Sequence, residues 1–252
     1  YSNSLTGTTF NISQWNGTGI NQTTGFTDGS SEGIIVMEEL SGGNQLLAYS
    51  GGSNLVVPIK LFYPNNFSIS NSINEINLAG TSTILVAASM DSIKIVPLAN
   101  DTAFMLTPSG STLHYAYFNG TDLTNLDTIS ATITNGDTWD AGKESVSGEG
   151  MLVHWLGSST TPKYNLITNG ILGASTDFPS GYRSNIDLIT DLESDPLNDS
   201  LIMAFFDTGT DTLYSTLWDG STWDTTSDLI KDYSFTQGST KLGDFSFDRG
   251  IT

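Results

Sequence analysis

Asn198-Asp-Ser-Leu-Ile-Met-Ala-Phe-Phe-Asp-Thr-Gly-Thr-Asp-Thr-Leu-Tyr-Ser-Thr-Leu-Trp-Asp-Gly-Ser-Thr-Trp223 holds two apolar runs joined by a Gly/Thr turn and closed by Asp-Gly. Runs of this length, bounded by turn residues and rich in aromatic and β-branched side chains, read as adjacent strands. Asn-Gly and Asp-Gly are strong hairpin signals, because a type I′ turn needs positive φ at both central residues. The same signal recurs at Asn119-Gly120 and Asn169-Gly170, so with Asp219-Gly220 the spacing is 50 residues twice over. Asn16-Gly17 and Tyr63-Pro-Asn-Asn66 continue the series toward the N-terminus.

The flanks repeat too. Asn100-Asp-Thr-Ala-Phe-Met-Leu106, a Gly/Ser turn and Thr112-Leu-His-Tyr-Ala-Tyr-Phe-Asn-Gly120 match the quoted stretch closely. Met151–Trp155 with Tyr164–Gly170, and Asn44–Tyr49 with Asn54–Tyr63, are looser copies. Four strands per unit of about 45 to 50 residues is the pattern of a β-propeller blade. The sequence therefore predicts an all-β, single-domain propeller over residues 1–252, with five blades of about 50 residues each. Thr9–Gly17 reads as a third strand without its beginning, and Lys241–Arg249 as a first strand without its continuation. The closing blade is expected to combine residues 1–30 with 240–252, which would hide the open sheet edges. A β-sandwich would explain the alternating strands but not the period.

Composition narrows the setting. The 252 residues carry 27 acidic and 8 basic side chains, a formal net charge of −19, yet only 14% are charged. An average protein has about 25% charged residues, so the acidity reflects missing Lys and Arg. Nucleic acid and anionic membrane surfaces, which need clustered positive charge, are not expected partners. The absence of Cys removes disulfides, thiol catalysis and Cys-ligated zinc. No apolar run approaches the roughly 18 residues of a transmembrane helix. The chain starts at Tyr1 without a basic, apolar leader, as a processed protein or an excerpt would. Seven Asn-x-Ser/Thr sequons begin at Asn11, Asn16, Asn21, Asn66, Asn100, Asn119 and Asn198. Together with the scarcity of Lys they point to a secreted or cell-surface glycoprotein.

The pattern strand, turn, strand, then Trp218-Asp-Gly-Ser-Thr-Trp223 resembles repeats of secreted bacterial and archaeal β-propeller proteins. The likeness runs best over 185–225 and next best over 91–125. It implies a propeller more than an activity, since such proteins are mostly uncharacterised or binding modules. Five-bladed propellers of other kinds include tachylectin-type lectins and glycosidases of the arabinanase and levansucrase type. Sialidase Asp-boxes place one residue between Asp and Gly, whereas Asp219 and Gly220 are adjacent, so a sialidase is not implied.

Candidate sites follow from the repeat. Glu38, Asp91, Ala141, Asp191 and Lys241 fall at matching positions on the expected inner strands. Glu38, Asp91 and Asp191 could supply the carboxylates of a glycosidase, or simply line a wet channel. Trp15, Asn65, Phe118, Thr168 and Trp218 form a second column. Its aromatics, Trp15, Phe118 and Trp218, could stack on sugar rings or pack between blades. Asp207 and Asp211 could hold calcium, or serve the turn between them. His114 and His154 lack the carboxylate partner of a zinc site, and no Gly-x-Ser-x-Gly nucleophile motif occurs.

Two functional classes remain. One is a non-enzymatic extracellular module for binding, adhesion or surface assembly, engaging a glycan or protein ligand or another copy by strand exchange at its termini. The other is a polysaccharide-active enzyme, with a sugar-binding lectin as a further alternative. No cofactor beyond calcium is expected. The net charge also predicts that self-repulsion raises carboxylate pKa values, so that stability falls as pH rises through them.

Overall fold

A computed structural model of the chain describes residues 2–6, 9–27, 35–49, 56–70, 74–77, 93–109, 112–130, 138–155, 161–179, 186–207, 212–225 and 228–232. Their strands form five sheets of sequence neighbours, paired antiparallel. Sheet I holds β1 (Ser2–Thr6), β2 (Thr9–Trp15) and β3 (Ile20–Thr27). Sheet II holds β4 (Ile35–Glu39), β5 (Gln45–Tyr49) and β6 (Val56–Tyr63), with β7 (Ser68–Ile69) and β8 (Asn74–Asn77) both pairing β6. Sheet III is β9 (Lys94–Pro97), β10 (Ala103–Ser109), β11 (Thr112–Phe118) and β12 (Leu123–Ser130). In sheet IV, β13 (Trp139–Lys143), β14 (Gly150–His154) and β15 (Lys163–Thr168) precede β16 (Ile171–Leu172) and β17 (Thr176–Asp177), which both pair β15. Sheet V is β18 (Ile186–Ser194), β19 (Leu201–Asp207), β20 (Thr212–Trp218) and β21 (Asp228–Asp232).

Each sheet thus has four strand positions, except sheet I, whose three strands correspond to the second, third and fourth. The segment expected to supply its first strand, residues 240–252, lies outside the described residues. The strands pack as two compact units, one of residues 1–109 with 114–127, the other of 110–113 with 128–252.

The second strands of sheets II to V are largely buried. Every residue of β5 and of β14 is buried, as a strand covered on both faces requires. In the first unit, Leu46, Ala48 and Leu61 of sheet II meet Ala103, Met105, Ala116 and Phe118 of sheet III. On the other side of sheet II, Leu47 and Phe62 meet Phe10 and Ile12 of sheet I. In the second unit, Met151 and Val153 of sheet IV pack with Leu201, Met203, Phe205 and Trp218 of sheet V.

The hairpin turns divide into two kinds. At Asn169-Gly170 both residues have positive φ and Thr168 faces Ile171, giving the expected two-residue type I′ turn. At Asn16, Asn119 and Asp219 only the following glycine is left-handed, with φ near +95°. These are four-residue turns: Trp15 faces Ile20 and Trp218 faces Trp223. The Asx side chain supplies the organisation that a second positive φ would otherwise provide. Its Oδ1 accepts the N–H groups two and three residues ahead, in all three turns at 2.8–3.0 Å. The Tyr63 turn lacks glycine and places Phe67 at φ +51°, its ring edge-on to Phe62.

The loops between first and second strands also repeat. Each is closed by an N–H to carbonyl bond, Leu40 to Asn44, Leu98 to Thr102, Glu144 to Glu149 and Asp195 to Ser200. The residue before the last of these positions is Gly43, Asp101, Gly148 or Asp199. Where it is aspartate it reaches the preceding sheet. Asp101 accepts from the Gly42 N–H and the Ser41 hydroxyl, and its own N–H donates to Ser41 Oγ. Asp199 Oδ1 accepts the N–H groups of Val146 and Ser147, both at 2.8 Å. Removing such an acceptor from two amides is expected to cost about 1–3 kcal/mol. Asp199→Ala should therefore lower the unfolding midpoint of the second unit and speed amide exchange at 146–147. An unchanged exchange rate there would reject the latch.

Candidate binding surface

The loop closures fix which positions correspond. The second strands begin at Gln45, Ala103, Gly150 and Leu201, and across the ladder Gln45 faces Phe62, Gly150 faces Ile167 and Leu201 faces Trp218. The aromatic column therefore runs Trp15, Phe62, Phe118, Ile167 and Trp218. Asn65 and Thr168 do not belong to it, because the sheet II turn starts one residue later and the sheet IV turn is two residues shorter. Phe62, Phe118, Ile167 and Trp218 are all buried, which makes them packing residues. Trp15 is 61% exposed, and Ile20 opposite it is 62% exposed.

Trp218 shows how a tryptophan is held in this column. Its ring lies 5.7 Å from those of Tyr164 and Trp223. Its Nε1 donates to Glu144 Oε1 at 2.6 Å, while Glu144 Oε2 accepts the Ser147 hydroxyl at 2.6 Å. Glu144 opens the first loop of the preceding sheet. The loops opened by Leu40 and Leu98 span five residues, and the sheets following them carry Phe118 and Ile167 in the column. The loops opened by Glu144 and Asp195 span six residues. Both six-residue loops open with an acidic residue, and Asp195 is the counterpart in sheet V of Glu144 in sheet IV. Asp195 is half-buried, with Oδ1 accepting the Leu197 N–H and Oδ2 the Asn198 amide.

The inner carboxylates do not share one position. Glu38 lies two residues before the loop-opening residue, Ala141 three and Asp191 four. Glu38 is exposed on β4 in the first unit, and Asp191 is buried on β18 in the second. Asp91 and Lys241 lie outside the described residues. Asp140 of β13 bridges two sheets, its Oδ2 accepting the Leu192 N–H at 2.8 Å. Asp207 ends β19, Asp211 lies outside the described residues, and no cluster of three metal-binding side chains occurs among those described.

His154 is fully buried and hydrogen-bonded, Nε2 to Asn165 Oδ1 at 2.9 Å. Asn165 Nδ2 donates to the Gly173 carbonyl at 2.8 Å, which turns Oδ1 toward the imidazole and assigns the proton to Nε2. Burial pushes the His154 pKa down; the Asn165 bond opposes this and the Lys163 charge adds to it. Burial also lowers that of His114. Of the sequons, Asn16, Asn21, Asn66, Asn100 and Asn119 are exposed, whereas Asn11 and Asn198 are half-buried.

Sequence reading missed Glu144, Asn165 and the two latching aspartates. The aspartates had a visible signal, the repeated Asn-Asp-Ser/Thr. Glu144 and Asn165 had none, since each matters only through a neighbour distant in sequence.

No protein-family model matches the sequence, and no curated protein does. Solved structures do match in fold. The Dos1 propeller aligns with a TM-score of 0.56 at 14% identity, over 95% of this chain and 58% of that one. AofleA from Arthrobotrys oligospora aligns at 0.52 and 10% identity, over 88% of this chain and 65% of the other. A eukaryotic initiation factor structure gives 0.51 and 13%, over 86% and 47%. This chain therefore spans about half to two thirds of the length of the structures it matches. All-β sheets of this repeat and these neighbours define a β-propeller fold.

Proposed function

We propose that the chain is a non-enzymatic, secreted or cell-surface β-propeller module for binding and surface assembly. Its first sheet docks on sheet V of a second copy. The observation that carries this is Trp15. Its four equivalents, Phe62, Phe118, Ile167 and Trp218, are buried, and Trp15 is open. Asp195 of a second copy offers the carboxylate that Glu144 gives to Trp218. Both halves occur on every chain, so the contact is heterologous and propagates head to tail. The sequons and the scarcity of Lys support an extracellular setting.

Light scattering on the size-fractionated chain across micromolar to millimolar concentration tests the reading. Oligomers that grow with concentration are expected, with Trp15→Ser and Asp195→Asn both shifting the chain to monomer while circular dichroism is unchanged. A wild-type monomer throughout would overturn it. A glycan bound by that monomer and lost in Trp15→Ser would assign the surface to sugar recognition instead. Release of reducing ends from a polysaccharide panel would replace the binding module with a hydrolase.

A further inference from the structure

The turn amides of Asn16 and Asn119 divide their work between two atoms. Oδ1 accepts three bonds: from the Thr18 N–H, Gly19 N–H and Thr18 hydroxyl at 2.9–3.0 Å in one turn. It accepts the matching three from Thr121 and Asp122 at 2.9–3.0 Å in the other. Nδ2 takes no part in either turn, and both residues are exposed. At Asn66, Oδ1 accepts the Ser68 hydroxyl at 2.6 Å, and the residue is again exposed. A sugar on Nδ2 leaves the amide carbonyl intact, so all these bonds survive modification.

Two other sequons are built differently. Asn198 uses Nδ2 to donate to Asp195 Oδ2 at 3.0 Å and Oδ1 to accept the Ser200 N–H at 2.7 Å. A sugar there would break the first of these in a half-buried loop. Asn11 lies half-buried in the middle of β2, its Oδ1 so near Gly25 that a Cβ there would sit 2.6 Å away. Asn21 on β3 and Asn100, at φ +58°, are exposed but lack the anchored carbonyl of the turn asparagines.

Asn16, Asn66 and Asn119 occupy the turn between third and fourth strand positions of sheets I, II and III. Antiparallel pairing puts this turn at the same end of a sheet as its first loop. The Asp101 latch brings the first loops of sheets II and III side by side, so their turns share an end. In the same slot sheets IV and V carry Asn169-Gly-Ile and Asp219-Gly-Ser, which are not sequons. We propose that Asn16, Asn66 and Asn119 are N-glycosylated, clothing the turn end of the first unit in sugar while that slot in the second stays bare. The donor is a lipid-linked glycosyl diphosphate. Its C1–O bond breaks, the C1–Nδ2 bond forms, the amide gives up one proton, and the lipid diphosphate leaves with the electron pair. Asn119 is exposed beside fully buried Phe118, so a sugar at Asn16 is compatible with a covered Trp15.

This rests on the extracellular reading above, but its readout is separate from assembly. The full chain would be secreted from cells that transfer lipid-linked glycans, then incubated in heavy-oxygen water with and without amidase and mapped by peptide mass spectrometry, the tag being the label that amidase adds. Asn16, Asn66 and Asn119 are expected to carry the isotopic tag, and Asn11 and Asn198 to remain untagged. Tagging of Asn11 or Asn198, or an empty Asn16, Asn66 or Asn119, would overturn it. The unglycosylated chain from a host lacking the donor should melt within a few degrees of the glycosylated one. A drop well beyond that on glycosylation would show that the sugars disturb the turns, and would count against the proposal. Loss of self-association in Trp15→Ser bears only on assembly and leaves site occupancy to be read independently.

Discussion

Trp218→Ala is expected to destabilise the second unit by about 3–5 kcal/mol, the range for deleting a buried tryptophan. The side chain is 3% exposed and packs among Tyr164, Phe205, Tyr214 and Trp223, so little could collapse into the space it leaves. The substitution also strips Glu144 of the indole N–H in a buried setting. Trp218→Phe separates the two contributions. It keeps most of the packing, and is expected to cost about 1–3 kcal/mol from the unpaired carboxylate and lost hydrogen bond. Denaturant unfolding of both variants, followed by near-ultraviolet dichroism, measures the difference. Equal losses in the two would mean that the Glu144 bond, rather than packing, dominates. Losses below about 1 kcal/mol in both would contradict a core role for Trp218.

Asn165→Leu should cost about 2–4 kcal/mol, because it removes the partner of a buried imidazole and leaves the Gly173 carbonyl without its amide donor. The same network sets a pH dependence. His154 and His114 have folded pKa values held below the ordinary 6.5 by burial. As pH falls through 6.5, the unfolded chain takes up protons that the folded chain refuses, so stability declines toward the folded values. Removing Asn165 removes the one influence that raises the His154 pKa, and should steepen that decline. Asp219 acts in the same direction at lower pH. The Thr222 N–H, then the Ser221 hydroxyl and N–H, hold its pKa below 3.8, so its contribution is present above that value and lost as pH falls through the folded one. Net charge alone predicts the opposite trend in the carboxylate range. Melting midpoints from pH 8 to 6, well above the ordinary carboxylate range of about 4, weight the histidines most heavily. A midpoint that climbs on acidification across this window would contradict the histidine argument.

The sheets were legible because turn chemistry and apolar runs are local signals that repeat. The Asn-Gly spacing located the turns, and the strands of sheets III and V fell where the two close copies placed them. Turn type was not legible at Asn16, Asn119 and Asp219. The same dipeptide serves a two-residue and a four-residue turn, and only the Ser or Thr after the glycine tells them apart. Register drifted for the same reason, since sheets II and IV use turns of other lengths, and this displaced Asn65 and Thr168 from the aromatic column. Inner-strand carboxylates were harder still. A slip of one residue moves a side chain to the opposite face, so Glu38, Ala141 and Asp191 could not be aligned from spacing alone.

Asp101 and Asp199 have a bearing on how the chain comes to be folded. Each binds its own sheet to the one made just before it, whereas Gly43 and Gly148 fill the same slot without a carboxylate. A row of repeats behaves as a one-dimensional lattice in which neighbour couplings are added to intrinsic stabilities. Here each unit holds one reinforced coupling, so the natural folding step is a pair of sheets rather than one. A nascent polypeptide leaving the ribosome would gain its first firm foothold only once Asp101 has emerged, and its second only at Asp199. Between those moments sheet IV is made without a latched partner, and that interval is when the growing chain is most open to mispairing.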